Sequence, residues 1–131
     1  PNSAGHRVGS MTSVALVLTG LVALLHVWFL ILEMFLWTKP IGLRTFRNTP
    51  EKAEVQRVLA ANQGLYNGFL AAGLVWGLAA SDPALGLAVR SYFLACVIVA
   101  GLYGAVSVSR RILFVQALPA LLALVANRLA S

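Results

Sequence analysis

The chain alternates long apolar runs with short polar breaks. Ten mixed residues, PNSAGHRVGS, come first, and an apolar run then opens at Met11 and continues to Trp37. At about 1.5 Å per residue, a helix over residues 11–37 reaches roughly 40 Å, more than the about 30 Å hydrocarbon core of a bilayer. The segment TKPIGLRTFRN follows, with Pro40 and Gly42 as breakers and Lys39, Arg44 and Arg47 as charges, and reads as an interfacial loop. Thr49-Pro50-Glu51 then has the form of a helix start. Thr49 can cap, Pro50 gives up no useful N–H at the first position, and Glu51 favours the helix dipole.

The second helix is expected over residues 49–80, with its polar first turns, EKAEVQR, protruding from the apolar layer. Ser81-Asp82-Pro83 forms a tight connection to a third helix over residues 83–108. Ser109-Arg110-Arg111 is the last turn, and a fourth helix takes residues 109–130. Pro119 lies inside it and is expected to bend it by removing a backbone hydrogen bond. A signal peptide does not explain the first run, because its apolar region is about 7–15 residues and three more spans follow. Residues 1–10 read as a vector-derived or disordered tail before a native start at Met11, so His6 and Arg7 carry no functional argument. The pattern therefore predicts an all-α, integral membrane four-helix bundle with up-down-up-down order.

Composition agrees with that pattern. The chain is 60% apolar and 11% charged, with four acidic residues: Glu33, Glu51, Glu54 and Asp82. A soluble domain of this size carries about 25% charge. Lipid removes the need for that polar surface. The net charge of +6 raises nucleic acid as a partner. It is set aside, because the basic residues sit in the gaps between apolar runs rather than on an aromatic-interleaved patch. The expected partner is the lipid bilayer. Lys39, Arg44, Arg47, Lys52, Arg57, Arg110 and Arg111 fall on one side, against Arg90, Arg128 and Arg7 on the other. That bias predicts a multi-pass protein of the inner (plasma) membrane with both termini outside. Cys96 is the single cysteine, which excludes an intramolecular disulfide, a CxxC pair and a cysteine zinc site. No metal and no cofactor is expected.

Polar groups inside a span are costly, so each needs a partner or a task. His26, Leu30, Glu33 and Trp37 fall on one stripe of the first helix. On the second, Asn62, Tyr66, Phe69, Gly73 and Trp76 form a stripe flanked by Gln63 and Asn67, with Gly64 and Gly68 facing away from it. The two GxxxG pairs, Gly64/Gly68 and Gly73/Gly77, allow close helix approach within or between chains and leave a homo-oligomer open. Glu33, Asn62, Gln63, Asn67, Tyr103 and Gln116 lie at similar depth, within about 15 Å of the cytoplasmic helix ends. They are expected to converge on one polar pocket.

LEMFLW over residues 32–37 and ANQGLYNGFLAAGLVWGL over residues 61–78 resemble a family of small bacterial membrane proteins, the domain of unknown function 1304. The resemblance covers nearly all of residues 11–131. It implies a four-helix membrane protein and brings no established activity, substrate or catalytic residue.

The residues support three functions. The first is a membrane-embedded enzyme or binding protein for a small lipophilic molecule. Glu33 would then be a general acid or base, assisted by His26, while Asn62, Gln63, Tyr66, Asn67, Tyr103 and Gln116 orient the ligand. The bland alternative for each is structural: Glu33 tied to an amide, His26 bonded to a neighbouring helix, and amides binding helices together. The second function is a structural or assembly subunit of a membrane complex. The third is a small proton-coupled exporter, since four helices with one acid in the first are similar to the small multidrug transporters. Those place the acid at mid-membrane with little charge bias, and both features differ here.

Overall fold

The structure, a computed structural model, describes residues 3–131. It is all-helical, with no strand among the described residues. Helix α1 is Ser3–Met34, α2 is Pro40–Thr45, α3 is Pro50–Ala79 and α4 is Pro83–Ser107. A π-helical turn, Leu113–Ala117, leads directly into α5, Leu118–Leu129.

Sequence chemistry sets most of these ends. The Thr49 side chain accepts the backbone N–H of Lys52 at 3.3 Å, and Pro50 occupies the first position of α3. Asp82 accepts the N–H of Ala84 at 3.1 Å, with Pro83 opening α4. After Ser107 the N–H groups of Val108 and Ser109 both return to the Gly104 carbonyl, and α4 stops. The disturbance expected at Pro119 takes the form of the π turn. The Leu118 N–H bonds back to the Leu113 carbonyl, so the register widens immediately before the residue that has no N–H to give.

Three features differ from the sequence reading. First, α1 begins at Ser3, so described residues of the expected tail are helical. Their side chains are exposed, and the hydroxyls of Thr12 and Ser13 bond back to the carbonyls of Val8 and Gly9. Backbone hydrogen bonding therefore continues the helix without packing behind it. Second, the expected loop after α1 contains a short helix, because Pro40 starts it rather than breaking it. Gly42 is needed for close approach: a Cβ there would meet the Leu36 carbonyl oxygen. Third, α1 ends at Met34, short of Trp37.

The chain divides into two compact units. One comprises the chain up to Ala23 together with Ala72–Ser131; the other is Leu24–Ala71. In the first unit, Gly101 brings α4 against the π turn, since a Cβ there would lie 2.7 Å from the Ala117 nitrogen. Gly73 accepts the ring of Phe93 in the same way. In the second unit, α2 is tied to its surroundings by Trp37, whose indole lies 4.8 Å from the Phe46 ring and donates to the Ala53 carbonyl at 3.1 Å.

The buried positions are mostly small. Ala15, Ala23, Ala53, Ala60, Ala71, Ala117, Ala120, Ala123 and Ala126 are all buried, with Leu32, Leu74 and Leu94 among the few large side chains beside them. The large apolar side chains point outward instead, among them Val55, Val58, Phe69, Val99, Val106 and Phe114. Helices α1 and α4 are long and apolar enough to cross a membrane, and Leu113–Leu129 is apolar but shorter.

One backbone position is strained. Arg47 follows α2 at φ 50°. The Asn48 N–H reaches back to the Leu43 carbonyl at 2.9 Å, the wrap-around that normally carries glycine at the left-handed position. A side chain there costs roughly 1–2 kcal/mol. Arg47→Gly is therefore expected to raise stability by up to about 1 kcal/mol, read as a higher thermal unfolding midpoint in detergent. A lower midpoint would show that the arginine side chain contributes more than its backbone costs.

Candidate functional site

Each unit holds one polar centre. In the second unit, α1 and α3 meet through small residues of α3. A Cβ on Gly64 would lie 2.8 Å from Met34 Cγ and 3.0 Å from Glu33 Cβ, and one on Gly68 would lie 2.7 Å from Leu30 Cδ1. Gly64 and Gly68 therefore face α1, which corrects their expected placement away from the polar sector. Asn67, between them on the helix, donates from Nδ2 to Glu33 Oε1 at 2.6 Å. Glu33 is 9% exposed. Its other oxygen, Oε2, has no hydrogen bond among the described residues and is not sealed from the outside. The carboxyl is thus held on one oxygen and open on the other. His26 is fully buried two turns earlier on α1, with its ring 5.4 Å from that of Phe29, edge to face.

Three of the other expected ligand residues turn away from Glu33. Asn62, Gln63 and Tyr66 are exposed, and none is bonded to Glu33. The reason is helical phase: once Gly64, Asn67 and Gly68 turn toward α1, the neighbouring positions 62, 63 and 66 turn outward. Tyr66 instead lies 6.0 Å from the ring of Phe69 on its own helix. Tyr103 and Gln116 belong to the first unit. Tyr103 is 75% exposed, and Gln116 lies within the π turn.

The first unit has its own centre, which sequence reasoning missed. Arg90 of α4 donates from Nε to Asn127 Oδ1 at 2.7 Å and from Nη1 to the Gly77 carbonyl at 2.8 Å. Asn127 in turn donates to Thr19 Oγ1 at 2.9 Å and to the Ala123 carbonyl at 2.7 Å. Thr19 closes the chain by donating to the Ala15 carbonyl at 2.7 Å. Thr19 and Asn127 are buried. Gly77 permits this approach, because a Cβ there would lie 2.5 Å from Arg90 Cγ. Beside the cluster is a cavity of about 380 Å³ lined by Arg90, Asn127, Thr12, Leu16, Ala84 and Leu87, among others. One signal could have pointed to it: Arg90 is a lone charge inside an apolar helix, and sequence reasoning used it only as a marker of orientation. No cluster of three or more metal-binding side chains occurs among the described residues.

Fold and site together define an all-helical protein built on close small-residue packing, with a carboxyl–amide pair in one unit and an arginine–amide cluster in the other. The chain belongs to the family described as Protein of unknown function (DUF1304), which matches residues 20–127. It is 33% identical over 119 residues to the uncharacterized protein YpaA of Lactococcus lactis subsp. lactis (strain IL1403), covering 89% of this chain and 98% of that protein. No solved structure matches it.

The hydrogen-bond geometry ranks the amides. Asn67→Ala removes the one partner of a nearly buried carboxyl and is expected to cost about 1–3 kcal/mol. Asn62→Ala, at an exposed position, is expected to stay within about 0.5 kcal/mol of wild type. Unfolding midpoints of the two variants in one detergent give the order, and the reverse order would remove the Glu33–Asn67 bond from the account of stability.

Proposed function

We propose that the chain is a multi-pass membrane protein of four spans in up-down-up-down order, with both termini outside. Its buried positions are small and its large apolar side chains point outward, the reverse of a soluble core. So much outward apolar surface is stable against lipid and a hazard in water. A cysteine at Arg47 and another at Ser131, each in a Cys96→Ser background, are the two reporters. In intact cells an impermeant maleimide is expected to label the second and spare the first. Equal labelling of both would overturn this topology.

Within the bilayer, the protein binds a small lipophilic molecule at Glu33 and acts on it by proton transfer. The carrying observation is the half-held carboxyl: Asn67 fixes Oε1, while Oε2 remains available to a ligand hydroxyl or carbonyl. Fixing one oxygen orients the group, and the free oxygen can give or take the proton. His26, on the same helix, assists as a second proton carrier. Lipid extracts co-purified with wild type, Glu33→Gln and Asn67→Ala and compared by mass spectrometry provide the test. Wild type is expected to retain a lipophilic compound that both variants lose. Identical lipid profiles in all three would end this reading.

A second reading has its own support. Asn62, Gln63 and Tyr66 present two amides and a phenol outward from α3, and outward polar groups at membrane depth suit contact with another chain. On that reading the protein is an assembly subunit or a homo-oligomer.

A further inference from the structure

Arg90 is the eighth residue of α4, about 10 Å along the helix from its start. It is half-buried, and both of its hydrogen-bond acceptors are neutral: the Asn127 amide oxygen and the Gly77 carbonyl. The only ion pair among the described residues is Arg57–Glu54. Asp82, the nearest acid along the chain, spends its carboxylate on the cap of α4. The guanidinium therefore carries an uncompensated charge. Its Nη2 has no hydrogen bond among the described residues, yet is not sealed off. This open edge belongs to a residue that lines the cavity of about 380 Å³.

The rest of the lining is of two kinds. Most of it is apolar, Leu16, Leu87 and Ala84 included, while Thr12, Asn127 and Ser131 add polar groups. The volume lies at the low end of ligand pockets, which run from about 300 to 1,000 Å³. It suits a compact head with a short stretch of chain. An Nη2 without a partner on a full positive charge selects an oxyanion, since its N–H groups suit a carboxylate or phosphate oxygen. The apolar walls select an attached hydrocarbon over a bare ion.

We propose that the cavity beside Arg90 is a binding site for a singly headed anionic amphiphile, with its carboxylate or phosphate on the open guanidinium edge and its first methylenes against Leu16 and Leu87. The Nε and Nη1 bonds to Asn127 and Gly77 hold the guanidinium plane, and the buried Asn127–Thr19 pair holds the amide. The site is pre-set for its ligand. Glu33 takes no part in it.

Calorimetric titration of the purified protein in an uncharged maltoside detergent tests this with five probes. Dodecanoate and dodecyl phosphate carry both head and tail, acetate and inorganic phosphate the head alone, and dodecanol the tail alone. At least one of the first two is expected to bind saturably, one per chain, while the other three show no saturation in the same range. Arg90→Gln is expected to weaken binding roughly tenfold to a hundredfold, and Arg90→Lys less. Because Arg90→Gln also disturbs Asn127, Ala84→Trp is the companion variant. It fills the cavity from an exposed position, keeps both Arg90 bonds and is expected to abolish binding. Glu33→Gln is expected to leave the affinity unchanged, so this site and the Glu33 reading fail separately. Dodecanol binding to Glu33→Gln as tightly as the anions would overturn the charge assignment. Acetate or phosphate binding as tightly would overturn the amphiphile. Affinities within twofold of wild type in both Arg90→Gln and Ala84→Trp would place the ligand elsewhere.

Discussion

Close approach of helices through small side chains is the constraint on which the rest depends. Gly64 and Gly68 set α3 against α1 in one unit, and Gly77 and Gly101 set their helices in the other. At Gly64, Gly77 and Gly101 a Cβ would collide with a neighbour's backbone or with carbon near it, and at Gly68 with the tip of Leu30. The alanine-rich interior follows from the same constraint, because large side chains would hold the helices apart. Against lipid, the driving force is contact density and hydrogen bonding between helices, and small residues favour both.

Close approach also decides which polar groups meet. An Asn side chain is short, and Asn67 reaches Glu33 only because the flanking glycines remove bulk from the same face. Arg90 reaches the Gly77 carbonyl because no side chain covers it. If α4 spans a membrane, an arginine about 10 Å from its start costs less than the roughly 2.5–3.5 kcal/mol of a central one. Two hydrogen bonds to neutral oxygens offset part of that cost and leave the charge itself in place. That remaining charge is what the proposed anion site uses.

Much of the fold was legible because helix ends are written in short-range chemistry. Thr49-Pro50 and Asp82-Pro83 carry their caps and first-turn prolines in sequence. Pro119 announced a disturbance, though whether as a bend or a change of register depended on the neighbouring turn. The short helix α2 was hidden because Pro40 and Gly42 serve equally as breakers and as a first-turn and close-contact pair. The site was legible only in part. Glu33 and Asn67 stood out as polar groups in apolar runs, but the inward face of α3 was chosen from its amides and aromatics. Small residues make that choice where helices pack closely, and the amides at 62 and 63 consequently turn outward. Arg90 was visible and misread, because counting charges by loop assigns an arginine to orientation before asking what it touches.

The two polar centres share one device. In each, an asparagine fixes one side of a charged group and part of that group stays open, although at Arg90 the Gly77 carbonyl takes a second nitrogen. Asn67 offers its N–H to the acid, and Asn127 offers its oxygen to the base. An amide can serve either sign because it carries a donor and an acceptor on one rigid plane. It also brings no charge of its own, so it fixes the orientation of the carboxyl or guanidinium without neutralising it. A carboxylate partner for Arg90, or a lysine partner for Glu33, would have given a closed ion pair suited to structure alone. Neutral partners hold the geometry and keep the charge available, and both proposed sites rest on that combination.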